Sequence, residues 1–194
     1  MMKKLKCNRG YTLSEMLIAA LLTGLLAAGG FEFYSNVHNQ TLVQDDISDM
    51  QQCSRSVLED ISKTLRMAGY KIDSHSAYAI NGDSLYVFFN ETQAVDTVLY
   101  YLEDYTRLDF YDYKWLSSLS EQDRPRKLLK KRNSNTAEHY ADMVKSIQYN
   151  QVSASSVIIS LEVHAARSDE GFNQDGGFRT FTETERVSIR NVSL

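Results

Sequence analysis

Residues 1–31 read MMKKLKCNRG YTLSEMLIAA LLTGLLAAGG F, and the order of charge, glycine and apolar run in them decides the architecture. Lys3, Lys4, Lys6 and Arg9 precede everything apolar, and no acid accompanies them. From Met16 to Phe31, sixteen consecutive residues then carry no charge. A secretory signal has its cleavage site after the apolar core. Here Gly10 comes before it, so a cut at Gly10 leaves the apolar stretch on the mature chain. As a helix, Tyr11–Phe31 spans about 31 Å, close to the hydrocarbon thickness of a bilayer. The leader cations favour a cytoplasmic N-terminus, which puts everything after Phe31 across the inner membrane.

A plain membrane anchor has no use for Glu15, an acid near the start of this apolar segment. A carboxylate there costs free energy, least near an interface, and such a group is a functional-site hypothesis that needs a partner. Cleavage would create one, the free α-amine of Tyr11 on an adjacent subunit. A generic signal anchor with a chance glutamate is the plainer alternative.

The run Arg9-Gly10-Tyr11-Thr12-Leu13-Ser14-Glu15-Met16-Leu17 resembles the type IV prepilin cleavage and methylation motif, in which Gly precedes the cut and Glu is fifth in the mature chain. Gly10 and Glu15 match in identity and spacing, and Thr12-Leu13 follow the common pattern. Tyr11 stands where Phe is usual. Gly24 falls where many of these proteins also have Gly, whereas their helix-kinking Pro is absent and Gly29-Gly30 offer a weak turn instead. The resemblance implies cleavage between Gly10 and Tyr11 by a prepilin peptidase, methylation of the new amine of Tyr11, and an assembly role for Glu15. It divides the chain into a leader (1–10), a membrane and assembly helix (11–38) and a periplasmic or extracellular body (39–194).

Beyond the apolar run, Val43, Ile47, Met50, Val57, Ile61, Leu65 and Ala68 recur largely at three- and four-residue steps, with Cys53 and Leu58 beside them. That spacing predicts an amphipathic helix. No proline interrupts it, so one helix of about 87 Å is expected from Tyr11 to near Ala68, with Gly69 as the stop. Strand patterns follow at Ser84–Phe89, after the turn-prone Asn81-Gly82-Asp83, and at Val95–Leu102 with a hairpin partner at Arg107–Tyr113. Val144–Asn150, Val157–His164 and Thr180–Val192 complete the set, while Leu116–Ala137 and Ser168–Gly177 read as loops. The expected fold is α+β and pilin-like, a long N-terminal helix packed on an antiparallel β-sheet body.

The helix end Leu65-Arg66-Met67-Ala68-Gly69-Tyr70 resembles the PilW family of minor pilins. Lys71-Ile72 stands where those proteins often have Gly-Cys, so no disulfide is inherited from that pattern. J-type pseudopilins of type II secretion share the architecture, and Val187–Asn191 suits both groups. The resemblance implies a non-catalytic minor pilin that helps initiate or cap a type IV pilus, the alternative being a minor pseudopilin. A membrane-anchored adhesin or binding module outside any filament is a third class. Implied partners are the prepilin peptidase, other minor and major pilins or pseudopilins, the inner-membrane assembly platform, and the lipid bilayer before assembly.

Other chemistry is sparse. The chain has 21 basic and 25 acidic side chains, and four of the basic ones lie in the leader, leaving a body near about −8 that disfavours nucleic acid. The cluster Arg124, Arg126, Lys127, Lys130, Lys131 and Arg132 is either a solvated loop or helix face, or a contact for nucleic acid or an acidic partner. Cys53 reads as a small buried helix residue, because Cys7 leaves with the leader. His38, His75, His139 and His164 lack metal or triad spacing, so no cofactor, metal or enzymatic role is expected. The stretch from Asp169 to Gly177 gathers oxygen ligands without the spacing of an EF-hand, so a solvated acidic loop and a calcium loop are both open. Tyr100, Tyr101, Tyr105, Tyr111, Tyr113 and Trp115 fill a sheet face or form an adhesive surface.

Overall fold

The structure is a computed structural model that describes residues 11–72, 76–91, 94–106, 116–117, 119–121, 123–168 and 177–191. One helix, α1, runs from Leu13 to Met67. Seven strands follow: β1 Tyr78–Asn81, β2 Ser84–Asn90, β3 Val95–Glu103, β4 Arg126–Arg132, β5 Glu138–Ser153, β6 Ser156–Ser168 and β7 Phe178–Ser188. The chain divides into two compact units, Met1–Gln44 and Asp45–Leu194. The first contains the apolar part of α1; the second contains the rest of α1 and the sheet.

The sheet is an antiparallel meander in which spatial order equals chain order, β1 to β7. Links of two to five residues join β1–β2, β2–β3, β4–β5 and β5–β6, as antiparallel neighbours allow, whereas residues 104–125 separate β3 from β4. Gly82 takes φ +58° between β1 and β2, Asn133 takes φ +54° after β4, and Ala154-Ser155 join β5 to β6. β6 and β7 stay in register from Ser156↔Ser188 to His164↔Thr180.

The body's core follows from two periodicities. On α1, Met50, Val57, Leu58, Ile61 and Leu65 are buried on the stripe. On the sheet, burial alternates along β2 with Leu85, Val87 and Phe89 inward, and along β6 with Val157, Ile159, Leu161 and Val163. These residues form one cluster with Val98, Tyr100, Leu128 and Ile147. Each fully buried aliphatic side chain contributes about 1.5–3 kcal/mol. The α+β expectation is therefore what the chain adopts.

Gly69 closes the helix for two reasons. Its φ of +76° lies in the left-handed region, and a Cβ there would collide with the carbonyl oxygen of Asn191. Its amide donates to the Phe88 carbonyl at 2.8 Å, turning the chain directly onto β2.

Four strand assignments change. Residues 126–132, expected inside a loop, are β4, paired with β3 from Val98↔Arg132 to Glu103↔Lys127. Its charges hide the strand: Leu128 and Leu129 are buried, while Lys and Arg stems flank them and carry their charges to carboxylates. β1 went unrecognised because it is only four residues long, and β5 extends well beyond Val144–Asn150 at both ends. β7 ends at Ser188 rather than Val192. The hairpin partner at 107–113 lies outside the described residues, as does most of the loop at 168–177.

Candidate functional site

The first unit presents an apolar helix with no cover of its own. Leu17, Leu21, Leu25 and Leu26 are all more than half exposed. The helix is long and apolar enough to cross a membrane, and its most apolar window is wholly unburied by the chain. Gly10 lies outside the described residues. Tyr11 is 84% exposed, just ahead of the helix.

Glu15 has a local partner that sequence reading overlooked. The Thr12 amide donates to its Oε2 at 2.8 Å, and the Thr12 hydroxyl donates to the same oxygen at 3.0 Å. In return the Glu15 amide donates to Thr12 Oγ1 at 3.3 Å. This reciprocal arrangement is a capping box, which satisfies amides that the first helical turn leaves without intrahelical acceptors. The Thr-x-x-Glu spacing was the available signal. Both Thr12 bonds fall on Oε2, and Oε1 has no partner among the described residues.

The candidate chemistry of the body's described residues is Cys53 and the basic cluster. Among the described residues, no three His, Cys, Asp or Glu side chains gather as metal ligands. Cys53 is free and half-buried, and burial pushes its thiol up, with Asp142 adding to the effect. The loop considered for calcium lies almost wholly outside the described residues.

The basic cluster is largely neutralised. Arg126 meets Asp83 at 2.7 Å, Lys130 meets Asp60 at 2.7 Å, and Arg132 meets Glu91 at 2.6 Å. Arg124 donates to the carbonyls of Leu116 and Leu119, and Lys127 lies over the Tyr105 ring. Tyr100 and Tyr105 are core residues, while Tyr111, Tyr113 and Trp115 fall outside the described set.

Asp60 organises a helix-to-sheet junction. Its Oδ2 accepts from Tyr100 at 2.6 Å as well as from Lys130, and Thr64 shares a 2.8 Å hydrogen bond with the Tyr100 hydroxyl. Lys130 also sits over the rings of Tyr100 and Tyr140. Burial raises the Tyr100 phenol far above its ordinary range, and the hydrogen bond to Asp60 raises it further. The junction ties α1 to β3 and β4.

A long N-terminal apolar helix and a seven-stranded antiparallel sheet give the chain an α+β, pilin-like architecture. The prokaryotic N-terminal methylation motif, the prepilin signal of type IV pilins and pseudopilins, matches residues 5–31. That motif implies processing by a prepilin peptidase and assembly with other pilins. Neither a curated protein nor a solved structure matches the chain.

Proposed function

We propose that this chain is a minor pilin, a non-catalytic subunit that helps initiate or cap a type IV pilus after its leader is removed. The carrying observation is the methylation motif over residues 5–31, whose part from Leu13 onward lies on α1, where Leu17, Leu21, Leu25 and Leu26 are exposed. In this reading the bond between Gly10 and Tyr11 is cut and the amine of Tyr11 methylated. The helix waits in the inner membrane, N-terminus cytoplasmic and body periplasmic. It then exchanges lipid contacts for neighbouring helices. The resemblance of Leu65–Tyr70 to PilW-family minor pilins favours a pilus over the pseudopilus of a type II secretion system.

Glu15 has two roles in this reading. Oε2 caps its own helix, and Oε1 is free to receive the α-amine of Tyr11 from an adjoining subunit. In a low-dielectric surround, loss of one partner strands the other and costs about 3–5 kcal/mol.

Mass spectrometry of the native protein is expected to find Tyr11 at the N-terminus, methylated; an intact leader or a cut after Phe31 would overturn the pilin reading. Gly10 substitution is expected to leave uncleaved precursor. Glu15→Gln keeps an oxygen for the Thr12 amide but removes the charge, whereas Glu15→Ala removes both. Both variants are expected to be cleaved and inserted yet to fail in filament incorporation. Wild-type incorporation of Glu15→Gln would reduce Glu15 to a helix cap. Loss of surface pili, against loss of protein export, in a deletion strain separates the pilus from the pseudopilus.

A further inference from the structure

The two edges of the sheet differ. β1 has four residues, whereas β7 has eleven and, among the described residues, no strand beyond it. An unpaired edge presents free amides and carbonyls that take another strand unless the edge is short, bulged or interrupted by proline. β7 contains no proline, and its pairing with β6 is regular from Thr180 to Ser188.

The groove of about 390 Å³ between α1 and β7 adds a second observation. Ser62 lines it, is 2% exposed, and has a hydroxyl with no hydrogen-bond partner among the described residues. Odd-numbered residues of β7 face this side: Glu183 and Glu185 reach toward Arg55 and Arg66 at 3.9 and 3.8 Å, and Phe181 packs on the core. Thr182, Thr184 and Arg186 are exposed on the alternate positions. The walls carry charges of both signs, so net charge selects no ligand. Position along β7 does, because like charges directly opposite on neighbouring strands destabilise the pair and opposite charges stabilise it.

The strand's own sequence meets that condition in one antiparallel register that keeps both core faces on one side. Full overlap of β7 with β7 of a second copy sets Glu183 against Glu183, and a two-residue shift one way sets Glu183 against Glu185. The shift the other way sets Thr182 against Thr182, Thr180 against Thr184, and Arg179 against Glu185, each of the last two twice by symmetry. Arg179 of the second copy then enters on the groove side, bringing N–H donors to Glu185 and Ser62.

We propose that β7 pairs with β7 of a second copy of this chain in the register centred on Thr182, and that Arg179 of each copy completes the groove of the other.

The test uses the full chain in detergent, in a Cys7→Ser/Cys53→Ser background. Directly opposed residues of an antiparallel pair lie within disulfide reach. Thr182→Cys is therefore expected to give a disulfide-linked dimer on mild oxidation. Thr180→Cys and Thr184→Cys are each expected to stay monomeric alone and to link when mixed. Arg179→Glu or Glu185→Arg is expected to lower the Thr182→Cys dimer several-fold and the two together to restore it, with circular dichroism checking the fold of each variant. Linking at 180 or 184 alone as readily as at 182 would overturn the register, and indifference to both charge reversals would overturn the Arg179 contact. A Thr182→Cys chain that stays monomeric in detergent, or that links in the cell envelope only to a different protein, would overturn the second copy as occupant.

Discussion

Between Met16 and Leu26, α1 exposes Met16, Leu17, Ile18, Leu21, Leu22, Leu25 and Leu26, each more than half uncovered. Between Met50 and Leu65 of the same helix, Met50, Val57, Leu58, Ile61 and Leu65 are at most 4% exposed. Side-chain chemistry is similar in the two stretches, so arrangement makes the difference. In the first, apolar residues surround the helix, which suits a medium or a bundle on every side. In the second, a stripe lies between Asp49, Arg55, Glu59, Asp60 and Lys63, which suits one sheet. Among the described residues the second stretch has its partner in the sheet, and the first is left exposed.

The strongest way to break this comparison is to make the same kind of cut in each half. Ile61→Ala is expected to destabilise the body by about 2–5 kcal/mol, because it opens a cavity under a residue with no exposure. Leu21→Ala is expected to leave body unfolding unchanged. Both are read by denaturant unfolding of the full chain in detergent, followed by circular dichroism. Equal losses would mean that the apolar half contributes to the body's core. A chain beginning near Gln40 is expected to fold without detergent; aggregation with neither helix nor strand signal would argue that the body needs its partners.

The junction at Asp60 sharpens the comparison next, since it ties only the second stretch to the sheet. Asp60→Asn keeps the shape but weakens the bonds to Lys130 and Tyr100, and is expected to cost about 1–3 kcal/mol. A double-mutant cycle with Lys130→Met measures their coupling. Additive effects would show that the ion pair is incidental to the Tyr100 bond.

The fold was readable where period and medium agree. The three- and four-residue steps from Val43 to Ala68 located the buried stripe, and alternation located β2, β3 and the middle of β6. β4 was lost because Arg126-Lys127-Leu128-Leu129-Lys130-Lys131-Arg132 has no apolar alternation. Tertiary carboxylates from Asp60, Asp83 and Glu91 make charges of this strand tolerable in the sheet. Glu15 was found as an isolated acid, but its cap was missed because the segment was read as a lipid-facing run rather than as a helix start.

That cap gives a smaller effect, confined to the first half. Thr12→Ala removes an N-cap side chain and is expected to weaken the first turn by about 0.5–2 kcal/mol. Amide exchange in micelles is expected to rise for residues 13–16 and stay unchanged in the body. Protection unchanged at 13–16 would mean that the membrane environment fixes the helix start without the capping box.

The smallest effect has the opposite sign and belongs to the second half. Ser62 is 2% exposed, and its hydroxyl has no hydrogen-bond partner among the described residues. It lines a groove of about 390 Å³ between α1 and β7, bordered by Arg55, Arg66, Glu183 and Glu185. A buried hydroxyl without a partner carries its full desolvation cost, whereas alanine at the same place carries none and favours the helix. Ser62→Ala is therefore expected to leave stability unchanged or raise it by up to about 1 kcal/mol. Chemical denaturation of the body decides. A clear loss would show that a groove water or another subunit's polar group completes Ser62, which would give the second stretch a partner outside the chain and remove the contrast with the first.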